Sequence, residues 1–228
     1  MQKKLTEEKQ REILDAGVQA FSEKGLEKTT MNDIAHRAGI SVGVLYKYYK
    51  DKDDFFRACV YCVVEEMRQF LEEITRERTK PLLQAKAMIT KSRRLAEEKR
   101  PYIRLYLELA RNQSLPRELI HDIEGYPARI YTDAIRDAQQ RGDMRRDLDP
   151  ALLAMCFDDL LKMLQFSYAS PYFEERAQVY GGEHALEEDW LTEGMLRFME
   201  SAFTLESGDI RHREETPADA PADCKREA

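Results

Sequence analysis

An all-α fold follows from three features of the 228-residue sequence. Apolar residues recur at three- and four-residue spacing along most of its length. Helix-starting and helix-stopping residues punctuate that pattern. Turn chemistry is scarce, with only 10 glycines and 8 prolines. A hydrophobic content of 43% supports a real core, and 35% charged residues suits the outer faces of helices. The pattern divides into an N-terminal three-helix unit over residues 1–57, a larger helical domain over 58–206, and a polar, Pro/Ala-rich tail over 207–228 expected to be disordered.

The first helix is predicted over about 6–24. Thr6 is its N-cap, Ile13, Leu14, Val18 and Phe21 lie at helical spacing, and Gly25 is its stop. Thr30 then caps a short helix, with Asp33 three residues on in the reciprocal capping-box position. Gly39 ends it, and Ser41 caps a second short helix that exposes Val42, Gly43, Tyr46 and Lys47 while Leu45 and Tyr49 turn inward. Two short helices across a tight turn are a helix-turn-helix with a reading helix. Asp51 or Asp53 caps a long helix ended by Pro81. Further helices are expected over about 82–99, from Pro101 to Ala110, and from Leu115-Pro116 to about Gln140 with a break or kink at Gly125 and Pro127. Another runs from Ala151 to Tyr168 behind the Asp149-Pro150 start, and the last covers 186–206, with Ala169–Ala185 read as a long loop or lid.

Several function classes are excluded. Gly39-Ile40-Ser41-Val42-Gly43 matches the nucleophile elbow G-x-S-x-G, but that serine must follow a buried strand, and here a capped helix precedes it, so no enzyme is expected. Cys59 and Cys62 form a C-x-x-C inside an apolar helix and read as small core thiols, while the four histidines lack metal-ligand spacing. No metal and no cofactor are expected. No apolar run is long enough to span a membrane and no signal core opens the chain, which points to a cytoplasmic protein.

The net charge of −7 as a sum opposes nucleic-acid binding, but its distribution does not. Residues 1–57 carry 11 basic against 10 acidic side chains, and residues 28–52 carry 5 basic (Lys28, Arg37, Lys47, Lys50, Lys52) against 2 acidic (Asp33, Asp51). A small local patch suits a site-specific binder with few phosphate contacts.

The first ~57 residues resemble the DNA-binding domain of the TetR family of one-component transcriptional repressors. Ile13-Leu14-Asp15-Ala16, Phe21, Lys24-Gly25, Thr29-Thr30, Asp33-Ile34-Ala35, Ala38-Gly39-Ile40-Ser41, Gly43-Val44-Leu45-Tyr46, Tyr48-Tyr49 and Lys52 carry the likeness. Beyond them only the general layout agrees, with 141–150 resembling a turn often seen before the family's penultimate helix. The resemblance implies an all-α homodimer that binds a palindromic double-stranded DNA operator and is released by a small-molecule effector.

Residue chemistry adds roles. Thr30 and Ser41 place hydroxyls at helix N-termini suited to a phosphate. Tyr46 and Tyr48 reach toward the backbone, Lys52 supplies charge, and Gly43 permits close approach. Val42, Val44 and Lys47 are left for base edges, a thin readout that leaves part of the specificity to DNA shape. The helix from Ala151 is apolar on nearly every face and needs covering on two sides. Met155, Asp159, Met163 and Phe166, with Trp190, Met195, Phe198 and Met199 of the last helix, are therefore candidates for a homodimer interface. Met88, Tyr102, Leu105, Tyr106, Leu109, Tyr126, Ile130, Tyr131 and Phe157 could line an effector cavity, and each is equally accounted for as plain core. The alternative function is a helical interaction module controlled by a protein partner.

Overall fold

The computed structural model describes residues 5–76, 81–111 and 116–204. Among them there are ten α-helices and no strand: α1 Glu7–Lys28, α2 Met31–Arg37, α3 Val42–Tyr48, α4 Lys52–Thr75, α5 Pro81–Glu98, α6 Arg100–Arg111, α7 Arg117–Arg141, α8 Pro150–Ala169, α9 Pro171–Gly181 and α10 Glu188–Thr204, with a short 3-10 turn at Gly182–His184. The expected tail at 207–228 and Leu115 lie outside the described residues.

Four helix starts use the capping chemistry visible in the sequence. Thr6 accepts from Lys9 N, Asp51 accepts from Asp54 N, and Asp149 accepts from Ala151 N and Leu152 N ahead of Pro150. The Thr30–Asp33 capping box is complete, with Thr30 Oγ1 accepting from Asp33 N at 3.1 Å and Thr30 N donating to Asp33 Oδ2 at 3.0 Å. Lys24 and Thr30 together hold the Asp33 carboxyl well below the usual carboxylate range.

Two expectations are corrected. The stretch Ala169–Ala185 is helix α9 followed by a 3-10 turn, because Pro171 occupies the first helical turn, where a missing N–H costs nothing. Of the break or kink expected at Gly125 and Pro127, the break does not occur: α7 is one helix, and burial of Leu119, Tyr131, Ile135 and Ala138 along it offsets the local cost of the proline. The stop expected at Gly25 is present: its backbone leaves the helix (φ 78, ψ 166), and only a short helical stretch to Lys28 follows beyond that kink.

Two apolar clusters organise the helices. The first gathers Ile13, Val18, Phe21, Ile34, Leu45, Tyr49, Phe55 and Cys59, and takes in Tyr102, Leu105 and Leu109 from α6. The second holds Leu71, Met88, Ile103, Tyr131, Phe157 and Leu164 among others. Helix α4 enters the first at its start and the second at its end, so the boundary expected at residue 57 falls inside a continuous helix. The 142–149 turn is tied to α10 by Arg145, which donates to Ala202 O at 3.1 Å and pairs with Asp147.

Helices α1 and α4 touch where α1 has no side chain. A Cβ on Gly17 would overlap the Phe55 ring and lie 2.7 Å from Cys59 Sγ. Gly17→Ala is therefore expected to lower stability by about 1–3 kcal/mol, the cost of overpacking, as read from a urea transition. Cys59 itself is buried, and burial pushes its thiol well up, as it does for Cys62 to a lesser degree, in keeping with core thiols.

Candidate functional site

The reading helix α3 is fixed from beneath. Leu45 and Tyr49 are buried, and the Tyr49 ring meets Phe55 edge-on at 4.7 Å between centroids. On the outer side Tyr46 is 55% exposed, and Ser41, Gly43 and Lys47 are exposed while Val42 and Val44 are half-buried. Ser41 has the extended backbone of an N-cap, yet its hydroxyl makes no capping bond to α3. Tyr48 is exposed, but its hydroxyl accepts from Leu5 N at 3.1 Å, so the chain before α1 is pinned to the reading helix. A Cβ on Gly43 would meet nothing nearer than Ser41 Oγ at 4.0 Å, so no packing within the chain requires a glycine there.

The basic patch is smaller than its composition. Arg37 is bonded to Gln19 and paired with Glu23. Lys52 departs from its expected role: its ammonium is 2.7 Å from Leu26 O and 3.2 Å from Glu27 O, closing the end of α1 rather than facing outward. Lys28, Lys47 and Lys50 are also exposed, and the Lys47 ammonium lies 5.6 Å from the Tyr48 ring centroid.

The larger domain contains two cavities. The first, about 970 Å³ including its open mouth, is lined by Tyr102, Leu105, Tyr106, Leu109, Tyr126 and Tyr131 of the expected set. Met88, Ile130 and Phe157 line a second space of about 1260 Å³, and Tyr131 borders both. The sequence-based pocket is thus two pockets divided by one tyrosine, whose ring packs edge-on against Phe157 at 5.1 Å. Its polar residues were not foreseen. Lys162 Nζ lies 2.7 Å from Asp158 Oδ2 and 2.8 Å from Glu124 Oε2, and the Tyr106 hydroxyl donates to Glu124. Burial works against the Lys162 charge, but the two carboxylates outweigh it and raise its pKa. Burial pushes Tyr106 up to about 12.

Helix α6 joins cavity and reading domain. Its Tyr102 lines the cavity while donating to Asp15 of α1 at 2.9 Å and Glu66 of α4 at 3.1 Å. Its Glu108 accepts from Leu26 N at 3.0 Å, just past the Gly25 kink. These bonds span 36 to 87 residues, and nothing local in the sequence marks them.

On the outside, Met155, Asp159 and Met163 of α8 and Trp190 and Phe198 of α10 are exposed, whereas Met195 is half-buried. Phe166 and Met199 are corrected: both are buried in the second cluster of the same chain and present no surface to a partner.

A buried scaffold presenting a short exposed helix behind a tight turn defines the helix-turn-helix class of DNA-binding transcriptional regulators. Residues 13–59 match the family of bacterial regulatory proteins, tetR family. The chain is similar to the HTH-type transcriptional regulator HbdR of Aromatoleum sp. (strain CIB), 38% identical over 66 residues, which is 29% of each protein. The chain thus matches under a third of that relative's length. Similarity to the fatty acid metabolism regulator protein of Bacillus subtilis (strain 168) is 28% over 146 residues, covering 62% of this chain and 73% of that one. The fold is similar to the crystal structure of the transcriptional regulator FadR from Bacillus subtilis in complex with stearoyl-CoA, with a TM-score of 0.68 at 21% identity over 83% of this chain and 97% of that one. Among the described residues no helix is long and apolar enough to cross a membrane, and no cluster of His, Cys, Asp and Glu is placed to hold a metal ion.

Proposed function

We propose that this chain is a transcriptional repressor that binds a palindromic operator as a homodimer and is released when a small molecule enters the cavity beneath α6. The observation that carries this reading is the double engagement of α6, which walls the cavity with Tyr102, Leu105 and Leu109 and bonds to α1 through Tyr102 and Glu108. A ligand that favours one placement of α6 shifts α1 with it, and so changes the separation of two reading heads. It weakens operator binding by no more than its differential affinity for the two placements. In this reading Thr30, Ser41, Tyr46 and Tyr48 face phosphates, and Val42, Val44 and Lys47 face base edges. The relatives' names, a fatty acid metabolism regulator among them, fit an effector-controlled regulator of metabolism.

Gly43 supplies the test. Alanine is the better helix former, so Gly43→Ala in an exposed helix interior is expected to hold or raise stability by about 0.5–1 kcal/mol. Its methyl group projects into the space a groove floor would occupy, so affinity for DNA from the chain's own upstream region is expected to fall at least tenfold. Unchanged affinity in a titration across 50–200 mM salt, or no preference over random DNA, refutes the operator reading.

A further inference from the structure

The cavity beneath α6 has more acceptors than its own chain satisfies. Asp158 and Glu124 bring two carboxylates, and a single ammonium, Lys162, is shared between them at 2.7 and 2.8 Å. The Tyr106 hydroxyl adds one donor, to Glu124. Two carboxylates offer about eight lone-pair sites, far more than these donors fill. The cluster carries one net negative charge inside a wall made chiefly of Val60, Val64, Met67, Leu105, Leu109 and Phe166.

Two further hydroxyls point the same way. Ser92 is 1% exposed and lines the same cavity. Tyr131, also buried and on the wall, reaches only Met88 Sδ at 4.0 Å, a weak acceptor. Buried hydroxyls ordinarily find strong partners, and one left with a weak acceptor on a cavity wall marks where a guest completes the bonding. The Tyr106 ring lies beside the cluster, with the Lys162 ammonium 5.2 Å from its centroid, and such a face attracts cations. The other cation of the lining, Arg68, is exposed and stacked over Tyr126 at 4.8 Å, where water screens it.

We propose that the cavity selects a lipophilic amine, whose ammonium donates to Asp158 and Glu124 while its apolar body lies against α4 and α6. The proposal rests on the cavity being the effector site of the regulator described above. Burial pushes the Asp158 carboxyl up despite the adjacent Lys162, a cost that a second cation at this point relieves. An anionic head is disfavoured there for the same reason: it would meet uncompensated carboxylates in a low-dielectric wall. A coenzyme A thioester, with several negative charges, meets one saturated ammonium and one exposed guanidinium.

The test titrates the full-length protein, bound to DNA from its own upstream region, with n-decylamine, n-decanol, n-decanoate and decanoyl-coenzyme A, each below its aggregation threshold. Direct binding is read by calorimetry and DNA release by anisotropy. Decylamine is expected to bind at least tenfold tighter than decanol or decanoate. Asp158→Asn and the more exposed Glu124→Gln are each expected to cut the amine-over-alcohol preference at least tenfold. Two variants are used because Asp158→Asn alone could fail to fold. An amine preference that survives in both variants overturns the proposal, because the amine is then held elsewhere. Tighter binding of decanoate or decanoyl-coenzyme A, with DNA release, overturns it and leaves the effector-controlled regulator standing. Binding of none of the four, with DNA affinity unaltered, overturns both.

Discussion

Phe55→Ala is expected to destabilise the protein by about 3–5 kcal/mol, a large share of the 5–15 kcal/mol that holds a typical domain together. Phe55 is 0% exposed and stands where three helices meet. Its ring lies 6.1 Å from Phe21 of α1 and 4.7 Å edge-on from Tyr49, which closes the reading helix, and it occupies the space left by Gly17. Removing the ring opens a cavity that rigid helix contacts on all sides prevent from collapsing, so the cost belongs at the upper end of the range. The damage is also directed. Tyr49 is the C-cap residue of α3, and without the ring beneath it the reading helix loses its seat. DNA affinity is therefore expected to fall at temperatures where far-ultraviolet circular dichroism still reports native helix. A urea transition moved by less than 1 kcal/mol, with DNA binding intact, would show that the first cluster repacks around the gap and does not locate α3.

The reading domain was legible in the sequence because its instructions are local. Thr30 and Asp33 are three residues apart and cap each other, Gly39 supplies the positive φ of the turn, and the alternation of Leu45 and Tyr49 with Tyr46 and Lys47 follows from one turn of helix. The same local logic misassigned Ala169–Ala185: proline and paired glycines read as loop, yet each sits at a helix terminus, where those residues are at home. Side-chain partnerships across distant helices were not legible. Lys52 reads as a free cation beside a DNA-binding motif, and only the fold brings the carbonyls of Leu26 and Glu27 within its reach. Likewise Met88 and Tyr102 look like members of one apolar set, and it is Tyr131, standing between α5 and α8, that assigns them to different cavities. The charged residues of the first cavity, Glu124, Asp158 and Lys162, gave no signal, since isolated charged residues on a helix ordinarily mark its solvated edge.

Charge placed on the outer face of α8 and α10 is expected to abolish high-affinity DNA binding without unfolding the chain. Helix α8 buries Leu153, Phe157, Leu161 and Leu164 against its own domain, yet Met155 on its other side is 57% exposed, and Phe198 of α10 is 60% exposed. Leu152, Met163 and Trp190 are also exposed on these helices, which makes three such residues on α8 and two on α10. Single exposed apolar side chains are ordinary on a monomer, but repeated ones on two helices suit association. In the proposed homodimer this face is covered by its own copy, and a guanidinium at Phe198 then meets its symmetry mate across a desolvated contact. Phe198→Arg is thus expected to give a folded monomer at micromolar concentration by sedimentation, with a thermal transition still cooperative. Because two linked heads gain about 10²–10⁴ in affinity over one, DNA affinity should drop by at least a hundredfold, while Phe198→Leu, which keeps the face apolar, should bind as the parent does. Trp190, the single tryptophan, adds a spectroscopic readout: its emission should shift to the red as the face returns to water. A Phe198→Arg protein that remains dimeric and holds its DNA would place the subunit contact elsewhere, and would leave this face in need of another occupant.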